Sequence, residues 1–392
     1  METATKKILS GYKSSPLGII PEDWKVKRIG EFAPLQRGFD LPTDKIIKGN
    51  YPVVYSNGIL NYHHEYKVKG PGVVTGRSGT IGKVTYVESD YWPHNTSLWV
   101  TDFKNNDPRY VFHLYKYLDL SKFASGSGVP TLNRNDVHSY KIAVPPIHEQ
   151  QRIVSVLSLW DTAIAKQTAL IEKLTLRKRG LMQQLLTGKK RLKGFEGEWK
   201  EVRLGDAASI NRGGSPRPIE DYITKGEGYN WIKIGDVDQD AKYITSTEEK
   251  IITEGLLKTR FVKSGDFILS NSMSFGRPYI LKIDGCIHDG WLVIQEYGQT
   301  FNIDFLYYIL GYDTTLAQYK SMAAGSGVLN LNKEIVKEVQ LKIPSIEEQI
   351  AIAAILIESD KEIEIQKQKL AAMQEQKKGL MQVLLTGKKR IK

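Results

Sequence analysis

Residues 180–191 read GLMQQLLTGKKR and residues 379–390 read GLMQVLLTGKKR. They close a longer ungapped match between 126–193 and 325–392, held at one separation of 199 residues. Two further islands keep that separation: ASGSGVPTLNRNDV at 124–137 with AAGSGVLNLNKEIV at 323–336, and PPIHEQQRI at 145–153 with PSIEEQIAI at 344–352. An earlier pair, WKVKRIGE at 24–31 and WKEVRLGD at 199–206, lies only 175 residues apart, so the second copy carries 24 more residues between its tryptophan and its glycine-rich turn. Constant ends around an unlike middle, twice over, is the layout of two similar but non-identical readers on a common frame.

The constant ends predict long helices. From Ile153 the seam runs Ile153, Leu157, Trp160, Ile164, Ile171, Leu174, Leu181 and Leu185 at alternating spacings of four and three, with Gln167 and Lys178 in the intervening slots. The second copy reads Ile352, Leu356, Ser359, Ile363, Gln366, Leu370, Met373, Lys377, Leu380 and Leu384, with glutamine and lysine in the same two slots. That is a heptad seam, and a polar residue within one costs stability but fixes register. Two helices that pair with each other are expected; the alternative is two separate amphipathic helices, each lying on its own domain. Prolines at 145, 146 and 344 suit the first turn, Glu149, Glu347 and Glu348 complement the dipole, and Gly188 and Gly387 end the helices in basic tails. At about 1.5 Å per residue such helices reach about 55–60 Å, enough to hold two domains apart.

Between them the pattern changes. Short β-rich runs such as YPVVY, GVVTG, KVTYV, SLWV, DFILS and WLVI alternate with glycine turns, followed by helical stretches around Tyr110–Leu118 and Phe305–Leu310. Each middle segment reads as an α/β or α+β globular domain, with strand order left open.

The 392 residues have room for two or three cores, and the repeat makes two the natural count. With 25% charged and 41% hydrophobic residues, the composition is that of a folded globular chain. The single cysteine, Cys286, excludes an internal disulfide framework or a cysteine-built zinc site. No apolar run of about 18 residues is present to span a bilayer, and METATKKILSGYK lacks a signal-peptide core; the expected location is cytoplasmic, with no membrane partner. A net charge of +11 makes a polyanion the first candidate partner.

Catalytic signatures are missing. GRSGTIGKV at 76–84 departs from the phosphate-loop spacing and has no hydroxyl after its lysine, and TGKKR lacks the upstream glycine. The diproline follows Val144, so the Asn/Asp-Pro-Pro signature of amino-methyltransferases is absent. Adjacent His63 and His64 lack metal-ligand spacing, and Glu248-x-Lys250 is a chance-level echo of a metal-dependent nuclease. Neither catalysis nor a bound metal is expected of this chain alone.

The W-x-x-x-x-x-G-[DE] islands at 24–31 and 199–206, the SGSG-like turns followed by Leu-Asn, the P-x-I-x-E-Q helix starts and the LL-T-G-K-K exits together resemble the specificity subunit of Type I restriction-modification enzymes over nearly the whole chain. The resemblance implies an N-terminal segment at 1–24, a first target-recognition domain at 25–145, a central spacer helix at 146–193, a second target-recognition domain at 194–344 and a terminal spacer helix at 345–392. It implies that the two domains are separated by two long antiparallel coiled-coil helices, in an internal pseudo-two-fold repeat. Each domain would read half of a bipartite double-stranded DNA site. The helices would set the spacing and dock two methyltransferase subunits, with motor-nuclease subunits joining for restriction. S-adenosylmethionine, magnesium and ATP would belong to those partners. The chain would serve adenine methylation and cleavage without catalysing either. The competing reading is a coiled-coil scaffold whose basic domains bind RNA or protein.

Base readout needs donors and acceptors on short loops, Arg or Lys for guanine and Asn or Gln for adenine. In the first domain that selects Arg37, Asn57, Thr75, Arg77, Ser78, Thr80, Asn95, Thr96 and Ser97; in the second, Arg212, Ser215, Lys233, Asn271, Ser272 and Arg277. GRSGTIG and NSMSFGR are expected to occupy corresponding places, with Arg77 and Arg277 as their readers. Arg134 and Lys333 recur in both copies beside the turns at 126–128 and 325–327, which suits phosphate contact or domain support. The tails Lys189-Lys190-Arg191 and Lys388-Lys389-Arg390 suit subunit docking, phosphate contact or a solvated end. The spacer and docking residues are Leu157, Trp160, Ile164, Gln167, Ile171, Leu356, Ile363, Gln366 and Leu370.

Overall fold

In the computed structural model, which describes residues 10–126, 130–238, 241–271, 275–324 and 330–391, each tryptophan-led island begins a strand that pairs with the strand just ahead of a long helix. Lys25–Arg28 runs antiparallel to Lys141–Val144, and Lys200–Arg203 to Gln340–Ile343. The two helices, Ile147–Leu185 and Ile346–Leu384, are unbroken for 39 residues each. They end just ahead of the expected glycines, Gly188 and Gly387, which turn at φ +68° and +72°, a conformation that glycine adopts without strain.

The chain divides into two units. The first comprises residues 1–170 and 366–392, the second 171–365, so the division falls inside both helices. Each unit therefore owns one globular domain, half of the central helix and half of the terminal helix.

In the first unit a four-stranded antiparallel sheet has the order Leu35–Arg37, Ser97–Val100, Gly72–Gly76, Val84–Val87, beside a three-stranded sheet of Gly58–His63, Tyr51–Tyr55 and Trp92–Pro93. The second unit repeats the first order with Ser209–Arg212, Trp291–Gln295, Phe267–Ser270 and Pro278–Leu281, then adds Tyr243–Ile244. Its other sheet has five strands, Ile223–Thr224, Lys250–Ile251, Tyr229–Ile232, Gly285–Ile287 and Arg260–Val262. Most of the extra sequence in the second copy lies between its first two sheet strands and builds this larger sheet.

Each core joins its domain to its own half-coil. Trp24, Phe32, Tyr110 and Leu114 pack with Ile153, Leu157, Met381 and Leu384 in the first unit; Leu204, Phe305, Leu306 and Leu310 pack with Leu185, Ile352 and Leu356 in the second. Burying side chains of this size contributes roughly 1.5–3 kcal/mol each. Leu157 and Leu356, expected as spacer or docking positions, are fully buried in these cores. Trp160, Ile164, Ile171, Ile363 and Leu370 are half-buried along the coil.

Polar pairs fix the helices antiparallel within each unit. In the first, Gln167 Nε2 donates to Gln366 Oε1 at 2.8 Å, Lys377 pairs with Asp161, and Arg390 Nη2 meets buried Glu149 at 2.7 Å. In the second, Arg177 pairs with Glu362, Lys178 with Asp360, and Arg191 grips buried Glu348 through Nε and Nη2, both at 2.7 Å. The basic tails are thus corrected in part: their arginines close the coil onto the glutamate of the opposite P-x-I-x-E-Q start, while their lysines remain exposed. The neighbouring glutamines clamp the domains. Gln150 Oε1 accepts from Asp107 N–H at 3.0 Å and Gln349 Oε1 from Asn302 N–H at 2.9 Å, each N–H belonging to the residue that caps its domain's helix.

Candidate nucleic-acid interface

In the first unit the selected loops converge. Gly38 N–H donates to Ser97 O at 3.1 Å, Phe39 N–H to Pro93 O at 2.8 Å, Arg77 N–H to Thr96 O at 2.9 Å, and Ser56 N–H to Thr96 Oγ1 at 3.3 Å. Gly38 has no space for a side chain: an added Cβ would lie 2.2 Å from the His94 carbonyl. Gly76 is equally confined, 1.8 Å from Thr80 O on the same measure. Arg37, Asn57 and Thr80 are exposed, and Arg77, Ser78, Asn95 and Thr96 are half-buried. Thr75 and Ser97 are not available to a ligand. Both are buried, and Ser97 Oγ donates inward to His94 O at 2.7 Å.

The second unit reproduces the platform. Gly213 N–H donates to Trp291 O at 2.9 Å and Gly214 N–H to Ile287 O at 3.1 Å, and a Cβ on Gly213 would lie 2.2 Å from the His288 carbonyl. Arg212 thus stands where Arg37 does, and His288-Asp289 where His94-Asn95 do. Arg212 is exposed, while Ser215 and Lys233 are half-buried. Lys233 looks into a cavity of about 510 Å3 floored by Trp231, but its ammonium is already held by Glu249 at 2.7 Å, which raises its pKa.

The expected equivalence of Arg77 and Arg277 is corrected. Arg77 donates its N–H to Thr96 O and accepts from Leu132 N–H; Asn271 makes the same two bonds, to Gly290 O and from Leu331 N–H. The Arg277 carbonyl instead accepts from Ser270 N–H at 3.0 Å, as that of Lys83 does from Gly76 N–H at 3.1 Å, while Arg277 N–H donates to Ser270 Oγ at 3.0 Å, and its side chain lines a cavity of about 440 Å3 beside Tyr307, Tyr308 and Lys178. Asn271 itself is buried, its amide donating to Asp289 O at 2.9 Å. Ser272 lies outside the described residues, as do residues 127–128 and 325–327 of the two glycine turns. Arg134 and Lys333 are exposed at the starts of short helices capped by Asn133 and Asn332.

Sequence reasoning missed two carboxylates. Asp40 sits 3.3 Å from Arg37 Nη2 and accepts from the Asn95 amide; Asp289 accepts from Ser215 Oγ at 2.8 Å and lies beside Arg212, whose Nε donates to Asp289 O at 3.0 Å. A lone aspartate near a lone arginine carries no periodicity or motif, so nothing in one dimension marks it. His63, His64 and Glu65 bring ligand-type atoms within 4.8 Å of one another, but His63 Nδ1 is occupied by the Ile47 backbone, 3.2 Å from both its N–H and its carbonyl. No helix is long and apolar enough to cross a membrane among the described residues.

A family model for the Type I restriction modification DNA specificity domain matches residues 21–176 and 196–375. Among curated relatives, the putative type I restriction enzyme MjaX specificity subunit of Methanocaldococcus jannaschii is 25% identical, covering 97% of both chains, and the MjaVIII specificity subunit of the same organism is 24% identical over 95% of this chain and 94% of that one. The fold is similar to that of a type I restriction-modification S subunit from M. genitalium, with a TM-score of 0.60 at 15% identity over 92% of this chain and 96% of that one. A chain from a type I R-M structure describing complex assembly aligns with a TM-score of 0.61 at 18% identity, over 94% and 99%.

Proposed function

This chain belongs to the Type I restriction modification DNA specificity family, whose task is DNA sequence recognition, and on that premise we propose that each of its two domains reads one half of a bipartite duplex site. The observation that carries this reading is the doubled platform. An Arg-Gly loop is pressed onto a His-Asn or His-Asp loop in both units, on the same sheet order, while the exposed side chains around it differ. Equal platforms with unequal side chains suit two half-sites of different sequence. The charge of +11 supplies attraction to phosphates that precedes any base contact.

The same reading assigns the coil to spacing and docking. Leu159 and Leu170 on the first unit's helices, and Leu176, Ile350 and Ile365 on the second's, are exposed apolar side chains outside the core-facing seam. They suit contact with methyltransferase subunits. S-adenosylmethionine, magnesium and ATP would be bound by those subunits and by motor-nuclease subunits, with this chain supplying the address and no catalytic group.

The test is selection from a randomised duplex library by the purified chain, at two salt concentrations. Enrichment of two defined blocks around an unspecified spacer supports the proposal. No preference among duplexes, or tighter binding of RNA than of any duplex, overturns it in favour of a scaffold.

A further inference from the structure

Arg37 and Arg212 are equivalent by the paired backbone hydrogen bonds of the two residues that follow each, and each side chain is 52% exposed. Each ends a strand of its domain's main sheet and precedes the glycine that presses its loop onto the opposite one. What differs is the origin of the carboxylate beside it. In the first unit it is Asp40, on the arginine's own loop, locked by the amide of Asn95 from across the gap. In the second the residue at the Asp40 position is Ser215 and the residue at the Asn95 position is Asp289, so donor and acceptor have traded loops. The exchanged hydrogen bond is kept and the acid has moved to the other side.

Resting on the DNA-reading function above, we propose that Arg37 and Arg212 are the paired base-reading arginines of the two domains, and that Asp40 and Asp289 are positioning residues that aim them from opposite loops. An exposed ion pair contributes little to stability, so a stability role does not explain why both units preserve one. Orientation does. A guanidinium has five donors in a rigid fork, and a carboxylate that takes one edge leaves the other for the N7 and O6 acceptors of guanine. In the first unit the Arg37 terminal nitrogen Nη2 is engaged. In the second, Nε is engaged by the Asp289 carbonyl, and Nη2 lies 4.0 Å from its carboxylate. Nη2 is thus the nitrogen nearest the carboxylate in both units, but in the second Nε is fixed as well, so the two guanidinia are held through different nitrogens and the same residue type addresses a different base position in each half-site.

The experiment uses the full chain and the library selection already described. Asp40→Ser and Asn95→Asp are made singly and together; the pair rebuilds the second unit's arrangement in the first. Asp40→Ser is expected to lower discrimination at one base pair of one half-site about tenfold, with the other half-site unchanged. Asn95→Asp sets two carboxylates against each other and is expected to do the same. The double variant is expected to regain tenfold discrimination in that half-site, at a shifted base position. Ser215→Asp with Asp289→Asn is the converse exchange and should alter only the other half-site. Wild-type selectivity retained in both single variants, or weakening that is uniform over all duplexes, overturns the inference while leaving DNA recognition standing. A wild-type chain that selects no site overturns both.

Discussion

Arg390 and Lys389 are neighbours in a basic tail with unlike roles. Arg390 faces Glu149, which is 1% exposed and also accepts from the Trp24 indole N–H at 2.9 Å. Removing the guanidinium strands a buried carboxylate, so Arg390→Ala is expected to cost about 3–5 kcal/mol in urea unfolding, whereas Lys389→Ala should stay within about 0.5 kcal/mol. Equal effects would mean that the tail acts by charge alone. The sequence places all three basic residues in one run and cannot separate them, because the glutamate that distinguishes the arginine is 241 positions away. The Arg-Gly loops were legible as close-packed turns, since a glycine after an exposed polar residue signals close backbone approach. The burial of Thr75, Ser97 and Asn271 was not, since small polar residues look alike in a turn whether they face inward or outward.

At the scale of elements, the two units build one junction with different chemistry. In the second unit Tyr308 OH donates to Asp360 at 2.6 Å; the matching first-unit position is His113, with Nε2 3.8 Å from Asp161. Burial, aided by Lys377, holds the His113 pKa down at about 4. The unfolded chain then binds the proton that the folded one refuses, so stability falls as pH drops from about 6.5 towards 4, by on the order of 3 kcal/mol. His113→Tyr is expected to remove that segment of the acid-stability profile; an unchanged urea midpoint profile between those pH values would show that His113 is not its source. A second outcome belongs to the seam. Replacing Gln167 and Gln366 together by leucine is expected to raise the urea midpoint while loosening register, seen as broadened distances between spin labels placed on the two helices. The seam itself was readable from its spacing of four and three. The partners of Lys178 and Lys377 were not, because direction of pairing is a property of two helices and Asp161 and Asp360 lie off the seam.

For the whole molecule the useful fact is that the division into units cuts both helices, at 170/171 and 365/366. One heptad inserted at each cut leaves every described pair within a unit intact. If the coil sets the distance between half-sites, seven residues add about 10 Å, or roughly three base pairs at about 3.4 Å each. Methylation mapping with partner subunits should then find the same half-site bases around a longer spacer; an active double insert with the original spacing would confine the coil to docking. The repeat, the two domains and the long helices were all legible from matched islands. Strand order and the larger second sheet were not, since the inserted residues match nothing in the first copy.

The interleaving of segments also sets an order of manufacture. The second unit is one continuous stretch, but the first needs residues from both its early and late segments, and Glu149 leaves the ribosome 241 residues ahead of Arg390. At about 5–20 residues per second that is a wait of roughly 10–50 s. For most of it Ile153, Val154 and Leu157 lack the late-made Met381, Leu384 and Leu385 of their shared core. The domain translated first is thus the one finished last, and a stalled nascent chain offers chaperones and proteases an uncovered apolar helix face.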